Sequence, residues 1–338
     1  MPRAIVIRSL DEPTATGAIN TAAVEDIDIA MLGDDDVLIE VHYSDLNYKD
    51  GLALTGKPGI VRSTPLIGGA DLVGTVVESA SPAWNPGDEV ILNGIGMSET
   101  RHGGFCELAR VPAGSLVKLP SAFTQAQAAA IGTAGYTAAL CVLRLMREGI
   151  DASYPVVVTG ATGGVGSIAV AMLDAAHCPV AAVTGRADHY GDYLRELGAG
   201  QIIDRAEFLG QGKPLQQARW AGGIDTVGGE MLANLLAQTR YGGTVAACGL
   251  AGSPSLPATV MPFILRNVTL AGIDSVHTPL IQRQAAWEFL AATLPLDRLE
   301  SATLTVSLDD AIPAAHRLMN GQAHGRIVVD IRASTSVA

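Results

Sequence analysis

The sequence predicts an α/β protein in two parts. A partly open β-barrel is expected over residues 1–122, rejoined by 294–338, and a doubly wound parallel sheet over 123–293. Three observations carry this. Short strands separated by Gly and Pro turns fill the first third of the chain. From residue 154 apolar strands alternate with helix-forming stretches, the pattern of a parallel sheet with helices on both faces. A glycine-rich turn stands where the first of those strands meets its helix.

That turn organises the rest. Tyr154-Pro155-Val156-Val157-Val158-Thr159 reads as a strand and Gly160-Ala161-Thr162-Gly163-Gly164-Val165-Gly166 as the turn. Ser167 to Ala176 reads as a helix and Pro179 to Thr184 as a second strand. This is a dinucleotide-binding unit. Gly163 lets the backbone approach a pyrophosphate, Gly166 lets the helix pack on the strand, and the helix start offers free N–H groups to the phosphates. Ala161 replaces the first glycine of G-x-G-x-x-G. About 20 residues on, where an NAD site carries Asp or Glu, stands Thr184-Gly185-Arg186 without a carboxylate. A guanidinium forks onto a 2′-phosphate that a carboxylate would repel. Arg186, with Arg205 just past the third strand Gln201–Asp204, therefore points to NADPH.

Composition narrows the class. Of 338 residues 48% are hydrophobic and only 17% charged. The mean hydropathy is +0.29. A sizeable core can form and disorder is excluded. The net charge of −12 and a pI near 4.9 argue against nucleic acid, which needs a basic face. Met1-Pro2-Arg3-Ala4-Ile5-Val6-Ile7 enters a strand directly, so no signal peptide is expected. No uninterrupted apolar run long enough for a membrane span is found; the longest candidates, from Ala126 to Leu145, are broken by Gly, Gln and Thr. Cys106, Cys141, Cys178 and Cys248 are scattered without zinc-like spacing and read as buried thiols in a reducing cytoplasm.

In order, strands are expected at Val37–Tyr43, Leu72–Glu78 and Glu89–Leu92, then a turn and strand over Gly103–Val111. Asn85-Pro86-Gly87-Asp88 supplies another turn. Thr124 to Leu143 is alanine-rich and fits a helix interrupted at Gly132-Thr133-Ala134-Gly135. The parallel sheet continues through Gly223–Gly229, Gly243–Gly249 and Val268–Ile273. A helix follows at Leu280–Thr293. The tail reads strand, helix, strand over Ala302–Ser307, Asp309–Asn320 and Gly325–Ile331, and is expected to rejoin the first part. Ala333 to Ala338 is expected to fray.

This organisation resembles the medium-chain dehydrogenase/reductase superfamily, with a GroES-like first domain and a Rossmann second domain. The stretches 44–50 (Ser-Asp-Leu-Asn-Tyr-Lys-Asp), 131–138, 248–252, 260–268 and 273–276 are similar to the zinc-free YhdH/AcuI-type acryloyl-CoA reductases. The resemblance implies NADPH-dependent reduction of the double bond of a short enoyl-CoA, acryloyl-CoA above all. It places Gly163, Gly164, Val165 and Gly166 at the pyrophosphate, and Thr184, Gly185, Arg186 and Arg205 around the 2′-phosphate. Leu250, Ile264 and Ser275 fall at the nicotinamide end. Arg326 is placed at the cofactor or the CoA phosphates, with Arg62 and Arg101 as weaker candidates for the latter. Tyr48 falls in the cofactor contact set, as proton donor or as a packing surface. Asn47 and Asp50 would orient the substrate or the tyrosine, with a helix cap as the other reading of Asp50.

Zinc relatives of this superfamily carry a cysteine near Asn47 and Gly-His-Glu at Gly69-Ala70-Asp71, so no metal is expected here. His42 and His102 have no partner at ligand spacing. A loop at Glu99-Thr100-Arg101-His102-Gly103-Gly104 carries charge where an aromatic would be expected beside the acyl pocket. The sequence therefore predicts a cytoplasmic, zinc-independent, homodimeric enzyme with its active site between two domains. A quinone or free-enone reductase, and an NADPH-binding protein without turnover, are the alternatives.

Overall fold

The computed structural model describes residues 1–333; most of the terminal segment expected to fray lies outside the described residues. The chain divides into two compact units. The first holds Met1–Thr133, Ser275–Ala285 and Ala302–Ala338; the second holds Ala134–Asp274 and Ala286–Ser301. The boundaries expected at 122/123 and 293/294 therefore move. The physical reason for the first shift is Gly132. It takes φ 50° and ψ −164° inside the helical stretch Gln125–Glu148 and splits it where the interruption is expected. Residues up to Thr133 are tied back to the first unit through Asp71.

In the first unit, the expected barrel is built from two sheets. Arg3–Ser9 pairs antiparallel with Asn20–Asp26 and with Leu66–Ile67. A seven-stranded sheet is centred on Val37–Asp45, which pairs with Asp71–Ser79, Leu108–Val111 and Arg326–Asp330. The tail thus rejoins the first unit: Thr303–Ser307 lies parallel to Arg326–Asp330, and the latter antiparallel to residues 43–45. Alternating Ile, Leu and Val side chains turn inward, so that Ile5, Ile7, Ile39, Leu72, Val90, Leu92 and Phe105 share one core. Each buried side chain of this size contributes about 1.5–3 kcal/mol.

The second unit carries six parallel strands. Numbered by their sequence order within the unit, they lie 3-2-1-4-5-6: Gln201–Asp204, Val180–Thr184, Val156–Thr159, Trp220–Asp225, Thr239–Ala247 and Thr269–Gly272. This is the dinucleotide-binding order, and it reverses beside Val156–Thr159. The helix after the first strand runs Gly164–Ala175, three residues earlier than expected, with Gly163 as its N-cap.

The stretch Gln125–Glu148 is long and apolar enough to cross a membrane by length and composition, yet 72% of its apolar window is buried inside the protein. Packing against the protein accounts for its apolar residues.

Candidate functional site

The nucleotide turn sits at the switch point of the parallel sheet, where α/β proteins bind ligands. Gly160 takes φ +59°, and a Cβ there would meet Thr226 Oγ1 at 2.3 Å. A Cβ on Gly166 would strike Gly160 O at 2.4 Å and Ala161 Cα at 2.7 Å, so the helix rests on the turn itself. The carboxyl ends of the first and fourth strands are locked together. Thr159 Oγ1 donates to Asp225 Oδ1 at 2.7 Å, Gly228 N donates to Asp225 Oδ2 at 2.7 Å, and Thr226 N donates to Thr159 Oγ1 at 3.0 Å. Burial pushes Asp225 above the ordinary carboxylate range, while these hydrogen bonds pull it back. Thr159, Asp225 and Thr226 escape sequence reading because their bonds cross 66 or 67 residues.

The residues expected at a 2′-phosphate come together. Arg186 N donates to Thr184 Oγ1 at 3.1 Å, and the Arg186 guanidinium donates to Thr162 Oγ1 and stacks 4.8 Å from the Tyr190 ring centroid. Arg205 lies across Gly185, where a Cβ would meet its Cδ and Nε at 2.6 Å. Arg205 is exposed. Two guanidinium groups thus share one bend, Arg186 being held by two buried threonine hydroxyls that accept from it, and the paired cations fit a dianionic phosphate. Thr162 and Tyr190 are additions the sequence reading missed; a Tyr four residues after an Arg on a helix was the available signal. Leu250 and Ile264 are also on the second unit, 63% and 72% exposed.

In the first unit, Tyr48 opens the helix Tyr48–Leu54, an element hidden in the sequence behind the end of the preceding strand. Asn47 is its N-cap. Asn47 Oδ1 accepts from Lys49 N at 2.9 Å and Asp50 N at 3.2 Å, which fixes the amide orientation. Nδ2 of Asn47 is buried without a partner among the described residues. Tyr48 is 48% exposed.

Asp50 closes the capping box, in keeping with its helix-cap reading. Its Oδ2 accepts from Asn47 N at 3.2 Å and its Oδ1 from Ala70 N at 2.8 Å, with the side chain fully buried. Both oxygens are occupied by backbone, so Asp50 positions the tyrosine's helix. Burial and the neighbouring Asp71 push its pKa up to about 7.

Arg326 is corrected more sharply. It is 2% exposed, donates to Ala130 O at 2.6 Å, and forms a buried ion pair with Asp45. Its guanidinium lies inside the first unit rather than at a phosphate. Burial and Asp71 hold Asp45 well above its ordinary range, against the pull of Arg326. Asp71 itself accepts from Thr133 N at 2.7 Å and Thr133 Oγ1 at 2.5 Å, restraining the chain just after the Gly132 break.

Ser275 falls in the first unit, in a segment held by a buried arginine that sequence reading missed. Arg283, 4% exposed, donates to Asn93 O at 2.5 Å, Val276 O at 2.7 Å, Thr278 O at 3.0 Å and Ser275 O at 3.3 Å. Bonds from a side chain to backbone carbonyls leave no pattern in sequence. Of the weaker candidates, Arg101 pairs with Asp35 at 3.0 Å, and Arg62 is exposed.

A zinc ion does not fit the residues present. Asn47 and Asp71 spend their oxygens on protein N–H and O–H groups. His102 Nδ1 accepts from Ile67 N at 3.1 Å, and burial lowers its pKa. His42 contacts Gln125 and Glu40. No group of three or more His, Cys, Asp or Glu among the described residues is placed to hold a metal.

The comparisons agree with this architecture. Residues 33–121 match the alcohol dehydrogenase GroES-like domain and residues 164–292 the zinc-binding dehydrogenase domain. The chain is 48% identical to the probable acrylyl-CoA reductase AcuI of Escherichia coli K-12, over 92% of this chain and 95% of that one. It is 46% identical to the acrylyl-CoA reductase AcuI of Ruegeria pomeroyi, with the same coverage of 92% and 95%. Among solved structures, the yhdH oxidoreductase of Salmonella enterica in complex with NADP superposes with a TM-score of 0.94 and 46% identity, covering 98% of this chain and 100% of that one. Two domain matches and full-length relatives on one fold give a single conclusion: the chain belongs to the medium-chain dehydrogenase/reductase family, in its quinone oxidoreductase-like branch with the AcuI and YhdH proteins.

Proposed function

We propose that this protein reduces the 2,3 double bond of acrylyl-CoA to propanoyl-CoA with NADPH. The observation that carries the cofactor is the Arg186, Arg205, Thr162 and Thr184 patch beside the nucleotide turn, with no carboxylate in Thr184-Gly185-Arg186. The names of the AcuI relatives support the substrate.

When bound, NADPH supplies the hydride that adds to the β-carbon of the enoyl thioester. The charge then moves to the thioester oxygen, which needs a donor. Asn47 Nδ2 is assigned to it: a buried unsatisfied donor costs about 1–3 kcal/mol until an acceptor arrives. Tyr48, half exposed at the helix start, donates the proton to the α-carbon. Asp50 holds both in place through its bonds to Asn47 N and Ala70 N. No step uses a metal. The working form is a cytoplasmic homodimer, the commonest closed assembly.

The test is NADPH oxidation by chelator-treated protein, comparing kcat/KM for acrylyl-CoA, crotonyl-CoA and a simple quinone. Preference for acrylyl-CoA that survives chelation is expected. Preference for the quinone overturns the substrate, and tight NADPH binding without any turnover makes the protein a binder. Tyr48→Phe should lower kcat on acrylyl-CoA about 100-fold with NADPH affinity retained; an unchanged kcat assigns Tyr48 to packing.

A further inference from the structure

The loop Gly94–Arg101 has a backbone that sequence gives little reason to expect. Gly94, Ile95, Gly96 and Ser98 all take positive φ, at 68°, 51°, 86° and 63°. For Ile95, with its branched β-carbon, that is a true outlier. Such strain persists only where the surroundings impose it, and it gathers at functional sites. The loop is pinned internally: Gly96 O accepts from Glu99 N, Thr100 N and Arg101 N, and Ser98 N donates to Arg101 O. Met97 and Ser98 are each 1% exposed.

Its two ends reach the Ser275–Val276 segment and the helix that Tyr48 opens. At one end, a Cβ on Gly94 would lie 3.4 Å from Val276 Cα and 3.7 Å from Ser275 O. The Arg283 clamp binds Asn93 and Ser275 at the same place. At the other end, Lys49 Nζ donates to Glu99 Oε1 at 2.6 Å, and Lys49 immediately follows Tyr48. The pair is partly sheltered, with side-chain exposures of 38% and 26%.

We propose that the loop Gly94–Arg101 is the wall that limits acyl length, and that Lys49 and Glu99 are its specificity-determining latch. This rests on the enoyl-CoA reading above. The chemistry gives the direction. The β-carbon of an acrylyl group is a bare methylene, so nothing projects past the carbon that receives hydride. A crotonyl group adds one methyl at that carbon. Against an apolar wall the methyl would be accepted. Against a sheltered ammonium–carboxylate pair it displaces water from two charges and finds no compensating contact. The rigid backbone of the loop keeps the wall from retreating.

The experiment measures kcat/KM for crotonyl-CoA and acrylyl-CoA in the full chain, in Glu99→Ala, in Glu99→Asp, and in Lys49→Met combined with Glu99→Leu. The ratio of crotonyl to acrylyl should rise about tenfold or more in Glu99→Ala and in the double variant, the range one methylene commands. Glu99→Asp should keep the ratio within about threefold of the parent. A ratio that stays put in both charge-removing variants, with the two activities falling together, would assign the pair a merely structural role and overturn the proposal. Calorimetric binding of propanoyl-CoA and butanoyl-CoA to the NADP-loaded proteins reads the same discrimination without turnover. A parent protein that fails to reduce acrylyl-CoA would thus sink the reaction while the loop is still judged, for or against, by the change in that binding ratio.

Discussion

At the scale of single residues, the proposed choice of NADPH rests on a few side chains around one bend. Arg186 is held by three separate contacts: its own N–H to Thr184, its guanidinium to Thr162, and the Tyr190 ring beneath it. The guanidinium is therefore oriented before any phosphate arrives, and less rotamer entropy is lost on binding. Arg186→Ala should weaken NADPH by about 1.5–3 kcal/mol, the worth of a charge-assisted hydrogen bond, and leave NADH nearly unchanged. Dissociation constants for both cofactors measure this, and equal weakening would remove Arg186 from the 2′-phosphate. The sequence singles out Arg186 as a candidate because its distance from the glycine turn is fixed by a strand and a helix of standard length. It misplaced Arg326 because position along the chain does not record depth, and the buried partner Asp45 stands 281 residues away.

At the scale of elements, the seven-residue helix Tyr48–Leu54 carries the proposed proton donor at its start. It is too short to stand alone and depends on its cap and on tertiary contacts. The same shortness hid it, since seven residues show little periodicity, whereas the long stretch with its break at Gly132 and the alternating strands were plain. Asp50 anchors the helix start, and its titration gives the anchor a pH dependence. Its folded pKa of about 7 lies above the ordinary 3.8, so the folded chain binds this proton more tightly than the unfolded one. The stability so gained is complete below the unfolded value and is lost as pH rises towards 7. Urea midpoints of the parent should therefore carry a falling component between about pH 4 and 7. Asp50→Asn should flatten that component, and identical slopes in both proteins would dismiss it.

At the scale of the whole molecule, the charge is strongly negative but unevenly spent. Asp45, Asp50 and Asp225 are buried, with pKa values raised chiefly by that burial. Most of the other acids are at the surface, and the formal net charge of −12 counts all 34 acids against 22 Lys and Arg. Two trends should then oppose each other on mild acidification. Resistance to urea should increase from pH 8 to 6 as Asp50 regains its proton, while solubility should fall as pH nears the pI of about 4.9. Parallel denaturation and precipitation curves measure both; a urea midpoint that falls over the same range would mean that ion-paired surface acids dominate.

The pairing of residues 328–330 with residues 43–45 has a consequence for how the protein is made. A ribosome delivers the chain from its N-terminus, and the second unit's sheet is complete in sequence once Gly272 has emerged. The first unit is still missing the strand that pairs with residues 43–45 and the arginine that ion-pairs with buried Asp45. The part synthesised first is thus the part finished last, and its exposed strand edge must be kept from other chains for most of the time translation takes.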